Sequence, residues 1–130
     1  MKTDRAVVGR KGEEEASQYL TRLGHRILAR NWRGGHLELD IVTLKGNELH
    51  FVEVKSRVAP VMAEPQRNVG REKQRRMVAA AQAFLHNNEE RKDLPADLEV
   101  FFDVMSVVFY GTGEEFDIEY YPKAFIPHYV

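Results

Sequence analysis

Three residues have the types and spacing for phosphoryl chemistry: Asp40, Glu53 and Lys55. Two carboxylates on adjacent strands could hold a divalent cation. Mg2+ prefers carboxylate oxygens and water, and often uses only one or two protein carboxylates beside a phosphate. Lys55 stands two residues beyond Glu53, so on a strand it shares that residue's face. A lysine there would orient and help deprotonate an attacking water, or neutralise charge on a pentavalent phosphate. A cation between Asp40 and Glu53 would polarise the phosphoryl oxygen and lower the pKa of the water. Together these parts suffice for phosphodiester hydrolysis with Mg2+ or Mn2+.

A carboxylate followed by E-x-K recurs in unrelated proteins, where a cross-strand salt bridge is the default reading. The element that carries the residues gives the pattern weight. Residues 37–55 read as a β-hairpin, with Leu37, Leu39 and Ile41 alternating with Glu38 and Asp40, and Val52 and Val54 alternating with Glu53 and Lys55. Gly46-Asn47 is a two-residue hairpin loop. Closing it sets Lys45 opposite Glu48, Ile41 opposite Val52, Leu39 opposite Val54, Asp40 opposite Glu53 and Glu38 opposite Lys55. One face is then apolar and the other charged. A slip of one residue would set Ile41 against Phe51 and Leu39 against Glu53, mixing the faces. Three carboxylates around one lysine repel unless a cation or a proton intervenes.

The other elements must position this hairpin. Ala16, Tyr19, Leu20 and Leu23 predict a helix over 11–23, with Gly12 as N-cap, Glu13, Glu14 and Glu15 at its positive start and Gly24 as its stop. Glu13 continues the face that Ala16 and Leu20 turn toward the sheet, which makes it a candidate third metal ligand. Its simpler explanation is stabilisation of the helix start. A short strand is expected at about 26–31 and an irregular loop, with Pro60, Pro65 and Gly70, over 57–70. Met77, Ala80, Ala81, Phe84 and Leu85 predict a second helix over 71–86. Arg71, Lys73, Arg75 and Arg76 crowd its first turns, the wrong end for the helix dipole. A nearby polyanion explains that placement, and solvated charge is the plainer alternative.

Residues 98–110 are almost continuously apolar, as in a strand buried on both faces, and a last edge strand at about 116–121 ends before Pro122. The order α-β-β-β-α-β-β makes one α/β domain over 1–130, a mixed sheet with helices on both sides. Asp103 is read as structurally paired and Trp32 as core. His25, His36, His50, His86 and His128 show no metal-ligand spacing, and His50 falls on the apolar face by parity.

Composition bounds the function. The chain has 130 residues and no cysteine, which excludes thiolate metal sites and a cysteine nucleophile and fits a reducing cytoplasm. Its N-terminus runs into charge, so no signal peptide is expected, and no apolar run is long enough for a bilayer. The net charge of −1 divides unevenly, with +6 over residues 1–76 and −7 over 77–130. A basic face for nucleic acid and an acidic face follow from that split, and chance clustering is the simpler reading.

Several motifs resemble a known family. Gly9-Arg10-Lys11-Gly12-Glu13, Ala16, Tyr19-Leu20 and Arg30-Asn31-Trp32-Arg33 resemble the opening of the YraN-like family of uncharacterised bacterial proteins. Glu38-Leu39-Asp40-Ile41, Phe51-Val52-Glu53-Val54-Lys55-Ser56-Arg57, Lys73-Gln74-Arg75-Arg76 and Phe102-Asp103-Val104 resemble its later segments. Two departures stand out: Leu37 replaces the glycine usual before Glu38, and the approach Arg33-Gly34-Gly35-His36 is unlike the usual one. The resemblance implies a restriction-endonuclease-like three-layer α/β/α fold with a central mixed sheet. It implies a PD-(D/E)-x-K site with Asp40, Glu53 and Lys55 as core and Glu13 as the acidic position of the first helix. Gln74 corresponds to a polar residue that archaeal Holliday-junction resolvases carry on the next helix. The expected activity is Mg2+-dependent cleavage of branched or damaged DNA, favoured over RNA, with Arg57, Lys73, Gln74, Arg75 and Arg76 on the nucleic acid. Junction-cleaving relatives work in pairs, which implies a homodimer. The alternative is a catalytically silent nucleic-acid-binding or protein-interaction module on the same scaffold.

Overall fold

A computed structural model describes residues 4–60, 69–111 and 114–127. Pro65 and His128 lie outside them. Helix α1 (Arg5–Arg22) starts at Asp4, whose extended backbone and carboxylate cap it, accepting the Ala6 N–H at 2.9 Å. The expected start at Gly12 is about two turns late. Gly12 is a buried contact residue, where a Cβ would lie 1.7 Å from Ser56 Oγ. In sequence alone, a glycine needed for close approach looks like a glycine that begins a helix. The stop at Gly24 is as expected. Its φ is +93°, and the N–H groups of Gly24 and His25 reach the Thr21 and Leu20 carbonyls at 3.0 Å, the paired bonds of a Schellman end.

Strands β1 (Arg26–Gly34), β2 (Leu37–Lys45), β3 (Glu48–Val58), β4 (Glu99–Tyr110) and β5 (Glu115–Phe125) form one sheet in sequence order. Only β3 and β4 run parallel. Helix α2 (Arg71–His86) provides the crossover that parallel neighbours require. The short α3 (Asn88–Arg91), which no periodicity marks, follows under an Asn87 cap.

The two helices cover opposite faces. Ala16 and Leu20 of α1 pack with Ile41, Val52, Met105 and Val107. Met77, Ala80, Ala81 and Phe84 of α2 pack with Val42, Phe51, Phe102 and Val104. Phe51, Phe84 and Phe102 are fully buried, each contributing about 1.5–3 kcal/mol of transfer free energy. Trp32 belongs to this core, edge-on to Phe84 at 5.4 Å between centroids. The result is an α/β architecture with a five-stranded mixed sheet flanked by helices, consistent with the restriction-endonuclease-like expectation. Among the described residues no helix is long and apolar enough to cross a membrane.

The β2–β3 register matches the expected one from Lys45↔Glu48 to Ile41↔Val52, with Gly46 at φ +62° in the loop. Beyond Ile41 the expectation fails, since Asp40 with Glu53, Leu39 with Val54 and Glu38 with Lys55 are not ladder pairs. Leu39 packs on the α2 side while Ile41 packs on the α1 side, so alternation breaks between them. One apolar and one charged face is therefore corrected too: the hairpin lies inside the sheet and is covered on both sides.

The expected loop at 57–70 begins later, because β3 runs to Val58 opposite Phe109. Strand β5 continues through Pro122 instead of ending before it. It is an edge strand, and Pro122 falls in the register irregularity between Val104↔Tyr121 and Phe102↔Phe125, the kind of place where a strand tolerates proline. Lys123, at φ +55°, donates its N–H to Asp103 Oδ1 at 2.9 Å. Asp103 is fully buried and also bonds His50 Nδ1 at 2.6 Å and the Tyr120 hydroxyl. It is structurally paired, as expected.

Candidate active site

Asp40 sits where β2 and β3 part. With the ladder ended, the Val54 N–H has no β2 carbonyl, and Asp40 Oδ2 accepts it at 2.9 Å. This bond points the carboxylate between the strands, close enough to Glu53 for its charge to raise that residue's pKa. Burial raises the Asp40 pKa, while the Val54 N–H draws it back. Burial and then the Asp40 charge push Glu53 up to about 7. Of the two, Asp40 has the backbone donor that favours its ionised form, and its charge holds the Glu53 carboxyl up.

Lys55 follows on β3, partly buried, and burial lowers its pKa against the raising effect of Glu53. Lys73 reaches the pair from the first turn of α2, with Nζ 3.3 Å from Glu53 Oε1. Glu13, next to the Gly12 contact, is carried by α1 toward the same end of the sheet. Burial raises its pKa, a hydrogen bond from Asn31 lowers it, and Asp40 raises it again. Among the described residues no three of His, Cys, Asp and Glu are grouped so as to hold a metal ion. The structure therefore assembles Asp40, Glu53, Lys55 and Lys73, and leaves Glu13 at the margin with Asn31.

Two half-buried carboxyls, the charge of one raising the pKa of the other, are a donor set that a divalent cation relieves. Mg2+ and Mn2+ accept such a set with water completing the shell, so the residues present fit the expected cofactor. Asp40 and Glu53 would hold it.

The nucleic-acid candidates are less uniform. Arg75 and Arg76 are exposed on α2, and Arg57 is half-buried near the end of β3. The Gln74 amide donates to the Val69 carbonyl at 2.7 Å, pinning the chain where it enters α2. Sequence reasoning placed Lys73 on phosphate and missed its pairing with Glu53. Of the basic residues set against the dipole, Lys73 is the one that meets the carboxylate pair. Asn31, marked in sequence only as part of the Arg30-Asn31-Trp32-Arg33 motif, was missed as a site residue; its φ is +53°.

Comparison with known proteins places the chain. The family profile of "Uncharacterised protein family UPF0102" matches residues 12–107, which include every residue of this site. The chain belongs to uncharacterised protein family UPF0102. A UPF0102 protein of Bacteroides thetaiotaomicron is 41% identical over 120 residues, covering 92% of this chain and 93% of the relative. One from Parabacteroides distasonis is 39% identical over 118 residues, 91% of each. One from Nitratidesulfovibrio vulgaris is 47% identical over 81 residues, 62% of this chain and 60% of the relative. Membership in UPF0102 is consistent with the YraN-like resemblance.

Proposed function

We propose that this UPF0102 protein is a divalent-metal-dependent nuclease that hydrolyses phosphodiester bonds in branched or damaged DNA. The observation that supports this best is the Asp40–Glu53 pair: two half-buried carboxyls from diverging strands, with Lys55 on the same strand as Glu53. Bound Mg2+ or Mn2+ would supply Lewis-acid polarisation of the phosphoryl oxygen and a more acidic water. Asp40 and Glu53 bind the cation, and Glu13 supports them from α1. Lys55 orients the attacking water and offsets the charge that gathers on the phosphoryl group. Arg57, Arg75 and Arg76 meet the backbone phosphates, with Gln74 holding their helix in place. Two copies acting on a branched substrate make a homodimer part of this reading, and the absence of cysteine fits a cytoplasmic setting.

The test incubates purified protein with Mg2+ or Mn2+ and with branched, nicked and linear DNA and RNA of matched sequence. Cleavage is expected on branched or nicked DNA, and Lys55→Ala lowers it by about 100-fold or more. No cleavage of any nucleic acid with either metal defeats the enzymatic reading.

The Lys73–Glu53 ion pair favours a second reading, because it balances the acidic pair without a metal. A catalytically silent nucleic-acid-binding module would bind DNA equally well after Asp40→Asn, with affinity falling steeply as salt rises.

A further inference from the structure

Lys73 has a geometry that contact with phosphate does not explain. It lies four residues before Met77, which is buried in the core, so its Cα faces the sheet. Its ammonium turns onto Glu53 Oε1 at 3.3 Å, with a side chain 42% exposed against 16% for the carboxylate. The lysine therefore covers the carboxylate from the solvent side. It also sits close enough to Asp40 to lower that residue's pKa. A lysine ammonium is a compact charge on a flexible four-carbon stem, able to leave without moving its helix.

We propose that Lys73 is the built-in counter-ion of the Asp40–Glu53 pair, and that a divalent cation and the Lys73 ammonium are alternative occupants at Glu53. This rests on the metal-dependent reading and adds how the site is regulated. Two cations on one carboxylate in a half-buried setting repel strongly. A cation that takes Glu53 Oε1 displaces the lysine from it. Lys73 thus sets the cation concentration at which the site loads, and protects the carboxylate pair below it.

The test is Mn2+ titration by isothermal calorimetry at pH 8 for wild type, Lys73→Met and Lys73→Arg. Lys73→Met is expected to bind Mn2+ about 10-fold more tightly, since a competing charge has gone. Lys73→Arg keeps the charge and is expected to stay within about threefold of wild type. A merely structural lysine would show no such split between neutral and charged replacements. Equal or weaker Mn2+ binding by Lys73→Met overturns the role of Lys73 and leaves the metal-dependent reading standing. No Mn2+ binding by any of the three proteins overturns both.

Discussion

The Asp40 carboxylate substitutes for a strand carbonyl: it takes the Val54 N–H at 2.9 Å at the point where β2 stops pairing with β3. A residue read as a metal ligand is therefore also a structural acceptor, and the two roles can be separated by substitution.

Asp40→Asn keeps a side-chain oxygen for Val54 and removes the charge. Thermal unfolding should stay near wild type while Mn2+ binding is lost. Asp40→Ala leaves a part-buried N–H without its partner and should cost about 1–3 kcal/mol in denaturant unfolding. Equal stability of the two variants would show that the Val54 bond contributes nothing.

Glu53 gives the apo protein a pH signature. Its folded pKa, about 7, lies above the ordinary 4.5, so the folded state binds more protons between these values. The stability associated with the retained proton is present below 4.5 and is lost as pH rises through about 7. Glu53→Gln mimics the protonated form. At pH 8 it should be more stable than wild type by on the order of 1–2 kcal/mol, the lost Lys73 pair offsetting part of the gain. The difference should shrink toward pH 4.5. A variant less stable than wild type at pH 8 would contradict this, and calorimetric Tm across the range measures it.

His50 should titrate late. Its Nδ1 faces Asp103 at 2.6 Å and its Nε2 faces Glu48 at 2.9 Å. Burial lowers its pKa, but the hydrogen bonds and charges of those carboxylates outweigh it, so the net shift is upward. The stability it brings is complete below 6.5 and is lost as pH rises through the folded value. His25, with its ring 4.8 Å away, is held low by burial and by the charge of His50. In an NMR titration His50 should keep imidazolium shifts at a pH where His25 is already neutral. The reverse order would refute the assignment.

Gly12 fixes the distance between α1 and β3. Alanine is the better helix former by about 1 kcal/mol, yet Gly12→Ala should destabilise the protein by about 1–3 kcal/mol through overpacking on Ser56. Ser56→Gly in the same chain should recover most of the loss, since both close atoms belong to that side chain. Failure of the double variant to recover, followed by denaturant midpoint, would place the strain elsewhere.

What was legible in the residues was what local chemistry determines. Gly46-Asn47 between alternating runs sets a register that holds through five pairs, and Gly24 ends a helix for reasons contained in its own backbone. The partners of Asp40 were not legible. Whether β2 stays paired past Ile41 depends on how Leu39 and Ile41 divide between two cores, which is a tertiary outcome. The same holds for Lys73, whose periodic face was plain but whose reach to Glu53 depends on where the crossover sets α2 down. Gly12 and Pro122 misled because each has two uses, and only the neighbours, Ser56 in one case and an empty sheet edge in the other, decide between them.

The parting of β2 from β3 makes the site asymmetric in its mechanics. Glu53 and Lys55 ride on a strand laddered to β4 over its whole length, from Glu48↔Glu99 to Val58↔Phe109. Asp40 rides on β2, which has parted from β3 here but stays laddered to β1 through Ile41, Leu39 and Glu38. The two carboxyls therefore hang from opposite halves of the sheet. Changes near residues 34–39 reach Asp40 from the β1 side, while Glu53 and Lys55 are held from the β4 side.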